Sequence, residues 1–420
     1  MAKHGAKTAT PRLRFPEFRS AAAWKTTPLN QIAERISTKN RDGRVSRVLT
    51  NSAEFGVLDQ RDYFDKDIAT AGKVDGYCIV GKGDYVYNPR TSAIAPVGPI
   101  SRNNVGEGVM SPLYTVFRFL DVQTDFYEHY FRSAGWHSYL RSAASTGARH
   151  DRMSITTEAF MRMPLPVPTP AEQQRIADCL TSLDEVIAAQ GRKVEALKAH
   201  KRGLMQQLFP REGETRPRLR FPEFRDAPDW REVSIGGIGE VITGSTPATS
   251  QREYYGGDHP FVSPADISDS RFVESTKTNL TDAGFAQARA VKAGSVLFVC
   301  IGSTIGKVAQ NVRDCATNQQ INAVVANSEF LGDFVYFLLD MEAERIAGLA
   351  GRQAVPIINK TLFSSVKVLA PRIGEQQRIA DCLSSLDTRI TAETNQLTAL
   401  KTHKQGLMQQ LFPAPDAASA

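Results

Sequence analysis

The sequence predicts a mixed α/β chain of α+β character: two globular regions joined and separated by two long coiled-coil helices, arranged as a pseudo-twofold internal repeat. Three observations predict it. A forty-residue segment occurs twice, at 170–209 and 373–412, with EQQRIADCL (172–180 and 375–383) and GLMQQLFP (203–210 and 406–413) identical in both copies. A second repeat, PRLRFPEFR, stands at 11–19 and 217–225 and is followed in each case by a tryptophan, Trp24 or Trp230. Between these frames lie two regions of nearly equal length and unlike text, since Arg12 to Glu172 spans 160 residues and Arg218 to Glu375 spans 157. A shared frame with different inserts means one architecture presenting two surfaces.

The long segments are helices with a narrow seam. In the first, Ile176, Leu180, Leu183, Ile187, Gln190, Val194, Leu197, Lys201, Leu204 and Leu208 alternate steps of four and three. The second keeps the beat with Ile379, Leu383, Leu386, Ile390, Glu393, Leu397, Leu400, Lys404, Leu407 and Leu411. A 3.5-residue period is a coiled-coil seam, narrower than the stripe of a helix lying on a globular core. The polar steps fall at the same two places in both copies, which fixes register at some expense of stability. At 1.5 Å per residue each helix is a rod of roughly 60 Å that cannot bury its seam alone, and the economical partner is the other copy. Thr169 as N-cap, Pro170 at N1 and Glu172 at N3 form a capping box that starts the first rod.

In order, the chain divides into a first globular region (1–168), a helix (169–210), a linker with the repeat motif (211–230), a second globular region (231–369), a helix (370–413) and a disordered tail (414–420). The polar start MAKHGAKTAT reads as frayed. The two prolines of the repeat motif, Pro16 and Pro222, argue against helix there. The motif packs its phenylalanines on a neighbouring element and uses its arginines as tethers rather than on phosphate. The first region mixes strand-like runs at 77–88 and 113–119 with an amphipathic run, DFYEHYFRSAGWHSYL, at 125–140. The second has strand-like runs at 261–267, 295–302 and 321–327, then the helical DFVYFLLDMEAERIAGL at 333–349. Both end in a Gly/Arg loop and a proline-flanked strand just before the rod.

The charge is unevenly spread. Residues 1–169 carry 23 Lys/Arg against 16 Asp/Glu, whereas 217–370 carry 15 against 17. A basic first region permits nucleic-acid contact; in the second any such contact must be locally patterned. Five cysteines (78, 179, 300, 315, 382) form no C-x-x-C pair and follow no secretory leader, which reads as a reduced cytoplasmic protein without a disulfide frame or zinc site. No apolar run is long enough to span a membrane.

Catalytic signatures are missing. Tyr87-Asn88-Pro89-Arg90 approaches the loop of a DNA amino-methyltransferase but lacks its second proline, and there is no G-x-G-x-x-G turn. GSTIGKV (302–308) fails the phosphate-loop pattern at both ends. No lysine follows an acid at the two-residue offset of common metal nucleases, and the seven histidines have no ligand spacing. The reading is a non-catalytic chain. What remains is recognition chemistry: Tyr87, Asn88, Arg90 and Ser92 in one turn, and Arg149, His150 and Arg152 in the Gly147 loop of the first region. The second offers Thr246, Ser303, Thr304 and Lys307, the run Asn318, Gln319 and Gln320, then Arg352 and Gln353. Arg, Asn and Gln can pair with base edges in the major groove, while Lys, Ser and Thr suit phosphates. Each also reads as an ordinary loop residue, and the Asn-Gln-Gln run equally as a satisfied amide network.

Taken together, the chain resembles a specificity (S) subunit of a type I restriction–modification system. The resemblance rests on the order motif, domain, helix, repeated; on the EQQRIADCL and GLMQQLFP frames; and on the inserts. VLTNSAEFGVLDQRDYFDKDIA…YVYNPRTSAIAPVGPI…SPLYTVFRF (48–119) is similar to one class of target recognition domain. ITGSTPATSQREYYGGDHPFVSPADI…VLFVCIGSTIGKVA…TNQQINAVV (242–325) is similar to another. It implies that each insert reads one half of a split, asymmetric site on double-stranded DNA. The helices pair antiparallel, set the gap between half-sites and dock two methyltransferase (M) subunits; restriction (R) subunits then join. No cofactor is implied on this chain: S-adenosylmethionine sits on M, ATP and magnesium on R. A scaffold joining two protein partners is the rival reading. Gly203 and Gly406 lie inside the helices, where glycine costs about 1 kcal/mol against alanine. They predict a close backbone approach by the partner helix or an M subunit, with a simple bend as the plainer alternative.

Overall fold

A computed structural model describes residues 8–63, 74–120, 125–144, 151–351 and 355–413. Four helices carry the account: α1 (Asp125–Phe131), α2 (Pro170–Leu208), α3 (Gly332–Met341) and α4 (Ile373–Leu411). The chain forms two compact units, one of residues 1–190 with 396–420 and one of 191–395. Each unit therefore holds one globular region together with segments of both rods.

In the first unit a frame of three antiparallel strands runs in the order Thr8–Ala9, Trp24–Pro28, Pro164–Val167. Residues 8–9 are thus strand, not frayed chain, while residues 1–7 and the tail 414–420 lie outside the described residues. A four-stranded sheet follows, ordered Ala33–Ile36, Thr115–Phe119, Tyr85–Tyr87, Ile100–Arg102. The alternating pattern of these strands buries Tyr85, Tyr87, Phe117 and Phe119. They meet Phe126, Phe131 and Phe160, and beyond them Ile176 and Leu180 of α2 and Leu411 of α4. The rod ends are therefore part of the globular core.

The second unit repeats the frame and changes the contents. Arg231–Ser234 pairs antiparallel with Lys367–Ala370, as Trp24–Pro28 pairs with Pro164–Val167. In both, the strand after the tryptophan closes against the strand before a rod. The insert holds a five-stranded sheet ordered Gly239–Thr243, Ile321–Ala326, Val296–Val299, Val308–Asn311, Phe272–Val273. A four-stranded sheet runs Thr278–Leu280, Tyr255–Val262, Cys315–Thr317, Ala290–Val291. Its core takes in Ile379 and Leu383 of α4 and Leu208 of α2.

Both rods run 39 residues, one fewer than the forty-residue repeat. In the second unit Lys193 meets Glu393 at 2.6 Å and Lys201 meets Asp387 at 2.6 Å. Moving up α2 moves down α4, so these segments lie antiparallel. In the first unit Lys404 of α4 is paired with Asp184 of α2. Seam residues at the rod ends are fully buried, Leu180 and Leu383 at 0% exposure. Leu183, Ile187, Leu386, Ile390, Leu397 and Leu400 are half-buried. The two lysine steps are satisfied by carboxylates, which removes much of the penalty of a charge at a seam.

The repeat motif straps the rods. Arg14 donates through Nε and Nη2 to both oxygens of Glu172, at 2.7 and 2.6 Å, while the Leu13 N–H donates to the Gln410 carbonyl at 3.0 Å. The second unit repeats this with Arg220 on Glu375 (2.7 and 2.7 Å) and Leu219 on Gln207 (2.9 Å). One nine-residue motif thus grips the start of one rod and an orphan carbonyl at the end of the other. The arginines are tethers, and Phe15 and Phe221 lie under Arg175 and Arg378 as cation–π partners. Only half of the expected capping box forms. Thr169 Oγ1 accepts from the Glu172 N–H at 3.4 Å, but the Glu172 carboxylate turns to Arg14 because a bidentate charged partner outcompetes a backbone amide.

Candidate nucleic-acid interface

In the first unit the turn after Tyr85–Tyr87 is built from amide contacts. Asn51 Nδ2 donates to the Val86 carbonyl at 2.7 Å, and Asn88 Nδ2 donates to the Asn51 carbonyl at 2.9 Å. Asn88 Oδ1 accepts from the Arg90 N–H at 3.0 Å, an Asx turn that points the chain outward. The Thr91 N–H then donates to the Asp151 carbonyl, and Met153 N–H to Pro89, at 3.0 and 2.9 Å. Arg90 and Arg152 become bridge partners, side by side. Arg90 is exposed, Arg152 half-buried, and Ser92 is exposed with its hydroxyl accepting from Ala95 at 3.2 Å.

Tyr87 is different. It is 1% exposed, stacks on Phe160 at 4.6 Å and donates its hydroxyl to the Val97 carbonyl at 3.0 Å. Burial raises its pKa. It is a core residue that supports the turn and has no surface to offer a base, which corrects the expectation. Arg149 and His150 lie outside the described residues. Beside the turn opens a cleft of about 1070 Å³, lined among others by Phe55, Ile94, Arg12, Arg132 and Lys401. Phe55 (64% exposed) and Ile94 (67%) stand at its mouth.

In the second unit, GSTIGK is a turn, not a phosphate cradle. Gly302 (φ +99°) and Gly306 (φ +94°) adopt positive φ, and the Gly306 N–H returns to the Val299 carbonyl at 3.0 Å. Lys307 Nζ donates to the Ile267 carbonyl at 2.9 Å, so the ammonium holds a neighbouring loop where a free phosphate ligand was expected. Ser303 is exposed on the turn and Thr304 half-buried, its carbonyl accepting from the Lys307 N–H at 3.2 Å. The Gly302 N–H donates to the Pro356 carbonyl at 3.0 Å, which seats this turn against 355–358, where Val355 and Ile357 are exposed.

The Asn-Gln-Gln run divides. Asn318 Nδ2 donates to Gln320 Oε1 at 3.0 Å, and Gln320 Nε2 to the Ile301 carbonyl at 3.3 Å, an internal network. Gln319 is exposed and accepts from the Thr246 hydroxyl at 2.7 Å. Thr246, Gln319 and Ser303 are therefore the outward polar groups of this turn cluster. Arg352 and Gln353 lie outside the described residues.

Sequence reasoning missed Asn51 and Phe55, although the tight N-S-A-E-F-G turn was a usable signal. It also missed Arg271, 6% exposed, because its partners come from distant segments. The buried thiols Cys300 and Cys315 are pushed up to about 12 by burial and are packing groups. Among the described residues no cluster of His, Cys, Asp or Glu could hold a metal ion, and no helix is long and apolar enough to cross a membrane.

Residues 228–402 match the family described as type I restriction modification DNA specificity domain. The HindI specificity subunit of Haemophilus influenzae is 30% identical over 147 residues, 34% of this chain and 32% of that one. The EcoR124I/EcoR124II specificity subunit of Escherichia coli is 26% identical over 280 residues, 62% of this chain and 64% of that one. The matches thus span between a third and two thirds of these curated relatives. Among solved structures, a type I R-M system chain studied for complex assembly and conformational transition superposes with a TM-score of 0.57 at 17% identity, over 93% of this chain and 98% of its own. The S subunit from M. genitalium gives 0.55 at 13% identity, over 96% and 99%. These two share the fold.

Proposed function

We propose that this chain, a relative of the type I restriction enzyme specificity subunits, is itself the non-catalytic specificity subunit of a type I restriction–modification complex. Its partners are double-stranded DNA, two methyltransferase subunits and the restriction subunits. The complex is a DNA adenine methyltransferase and ATP-dependent endonuclease; S-adenosylmethionine, ATP and magnesium belong to those partners. The globular regions 1–168 and 231–369 are the target recognition domains, each reading one half of a bipartite, asymmetric site. The helices at 169–210 and 370–413 hold the gap and dock the methyltransferases.

The observation that carries this reading is the frame. The same strap, strand pair and rod segments recur in each unit, yet the inserts have unrelated sheet orders. A conserved holder with dissimilar contents fits two readers of different sequences on one spacer, and a rigid spacer ties two half-sites to the helical repeat of DNA. In the first reader Arg90 and Arg152 suit a guanine edge or a phosphate; in the second Gln319 with Thr246 suits an adenine edge.

Mapping methylated bases across the genome of a cell with and without the chain tests this. Deletion abolishes adenine methylation at one bipartite motif, and replacing residues 25–168 by another such reader changes one half-site only. If no motif disappears, the scaffold reading replaces this one.

A further inference from the structure

Each reader is seated on its rods by a short helix, and the two seats are built from repeat-equivalent residues. Adding 203 carries Thr181 to Ser384, Asp184 to Asp387, Lys201 to Lys404 and Phe209 to Phe412. In the first unit His129 of α1 hydrogen-bonds Thr181 Oγ1 through Nε2 at 3.0 Å. Arg132, just past α1, donates to Asp184 at 3.2 Å, and Asp184 also pairs with Lys404. Phe126 and Tyr130 pack edge-on against Phe412, each with centroids 5.5 Å apart.

The second unit uses the same four positions. Arg271 donates to Ser384 Oγ at 2.7 Å and pairs with Asp333 of α3 at 2.6 Å. Lys201 pairs with Asp387 at 2.6 Å and lies 5.1 Å over the ring of Phe337 on α3. Phe334 stacks on Phe209 at 5.8 Å. The two seated helices share an opening: Asp125-Phe126 with His129 four after the aspartate, Asp333-Phe334 with Phe337 four after it. The groups on the hydroxyl differ in kind and in origin, a neutral imidazole from the helix and a guanidinium from a loop.

We propose that the hydroxyl, aspartate, lysine and phenylalanine form a docking socket, made twice on the rods, whose occupant is the Asp-Phe helix of a reader. None of the socket's residues is among the groups assigned to DNA, although Arg132, Lys404 and Phe412 also line the cleft beside the first reader's turn. The socket's phenylalanine shares the core of the reader's sheet, and its polar groups fix how the reader sits on its rod. Asp184 and Arg132 are positioning residues, acting on DNA only through the reader they hold, and that last clause rests on the function proposed above. The polar and charge-assisted bonds make the seat directional where apolar packing alone would let the helix roll.

Hydrogen exchange on the full chain, with DNA binding as a second arm, decides the matter. Asp184→Asn raises amide exchange in α1 by about tenfold, the scale of a lost charge-assisted bond, and leaves the strand at 115–119 unchanged. Arg132→Met acts in the same direction, and the double variant exchanges no faster than Asp184→Asn alone. Should Asp184→Asn prevent folding, Thr181→Val, which removes one hydroxyl, carries the same comparison. Exchange rising equally in α1 and the strand, or effects that add, would overturn the socket. In the DNA arm, duplexes carrying both half-sites with a gap one base pair too long are bound more nearly as well as the native gap, while binding to a single half-site is unaltered. A selectivity for the gap that does not move removes the positioning role. A wild-type chain that binds no bipartite site defeats the proposed function and leaves the exchange result standing on its own.

Discussion

Removing one arginine from the strap tests what holds each globular region to its rods. Arg14 and Glu172 are 7% and 1% exposed and meet through two bonds of 2.7 and 2.6 Å; Arg14 Nη1 adds a bond to the Ala21 carbonyl at 2.7 Å. Arg14→Met leaves a buried carboxylate without its counter-charge, and breaking such a pair costs about 3–5 kcal/mol. For a unit of this size that is a fall in Tm of about 10 °C. Replacing both partners, Arg14→Met with Glu172→Met, removes the stranded charge, and apolar replacement of a buried pair is often near neutral. The double variant therefore loses about 1 kcal/mol or less. Urea unfolding of the full chain, with amide exchange at residues 172–177 to localise the effect, gives the three differences. If the double variant loses as much as the two singles together, the pair is not coupled and the strap argument fails. Arg220 and Glu375 make the same experiment in the second unit. There Trp230 Nε1 also donates to Glu375, at 3.4 Å, so Glu375→Met loses about 1 kcal/mol more than Glu172→Met.

Two further outcomes follow from single residues. A methyl group added at Gly203 or Gly406 would meet nothing of this chain within 4 Å, so of the two approaches the sequence suggested, the one by the partner helix is not made. Gly203→Ala and Gly406→Ala each stabilise by about 0.5–1 kcal/mol through helix propensity, seen as a higher urea midpoint; a loss of stability would mean a strained backbone. His129 is held neutral, its pKa lowered to about 4 by burial first, then by Lys404 and Arg132. A folded value below the unfolded one means the unfolded chain takes up the proton first, so stability is lost as pH falls from about 6.5 toward 4. Between pH 7 and 4.5 the wild type loses about 2.5 kcal/mol more than His129→Gln, measured by urea unfolding at both values; equal losses would show that His129 is not held neutral.

What could be read from the sequence was what repeats. The seam period depends only on residue type and spacing, and it placed both rods to within a few residues because a 3.5 period kept over ten positions is the signature of a coiled-coil seam. The strand before each rod was also legible, since its prolines and apolar residues sit at fixed distance from the helix start. The strap's purpose was half legible: two prolines excluded helix, but only coordinates could show that Arg14 reaches a glutamate 158 positions away. Site residues were the least legible, for a physical reason. A polar loop residue is equally suited to a base, a phosphate or a neighbouring carbonyl, and composition does not say which it meets. Lys307 found the Ile267 carbonyl and Tyr87 found the core, while Arg90 and Arg152, 62 positions apart, were brought together by a backbone bridge. The same limit explains Arg271. An isolated arginine in a serine-rich loop looks solvated, yet Gln310, Asp333 and Ser384 converge on it and Phe272, Tyr336 and Phe337 surround it. Its equivalent function in the first unit is performed by a histidine from a different element. Two unlike inserts grip repeat-equivalent seats on the rods, and each fills its seat with different side chains. The rod side of each joint is therefore written in the repeat, and the insert side is written nowhere that periodicity can find.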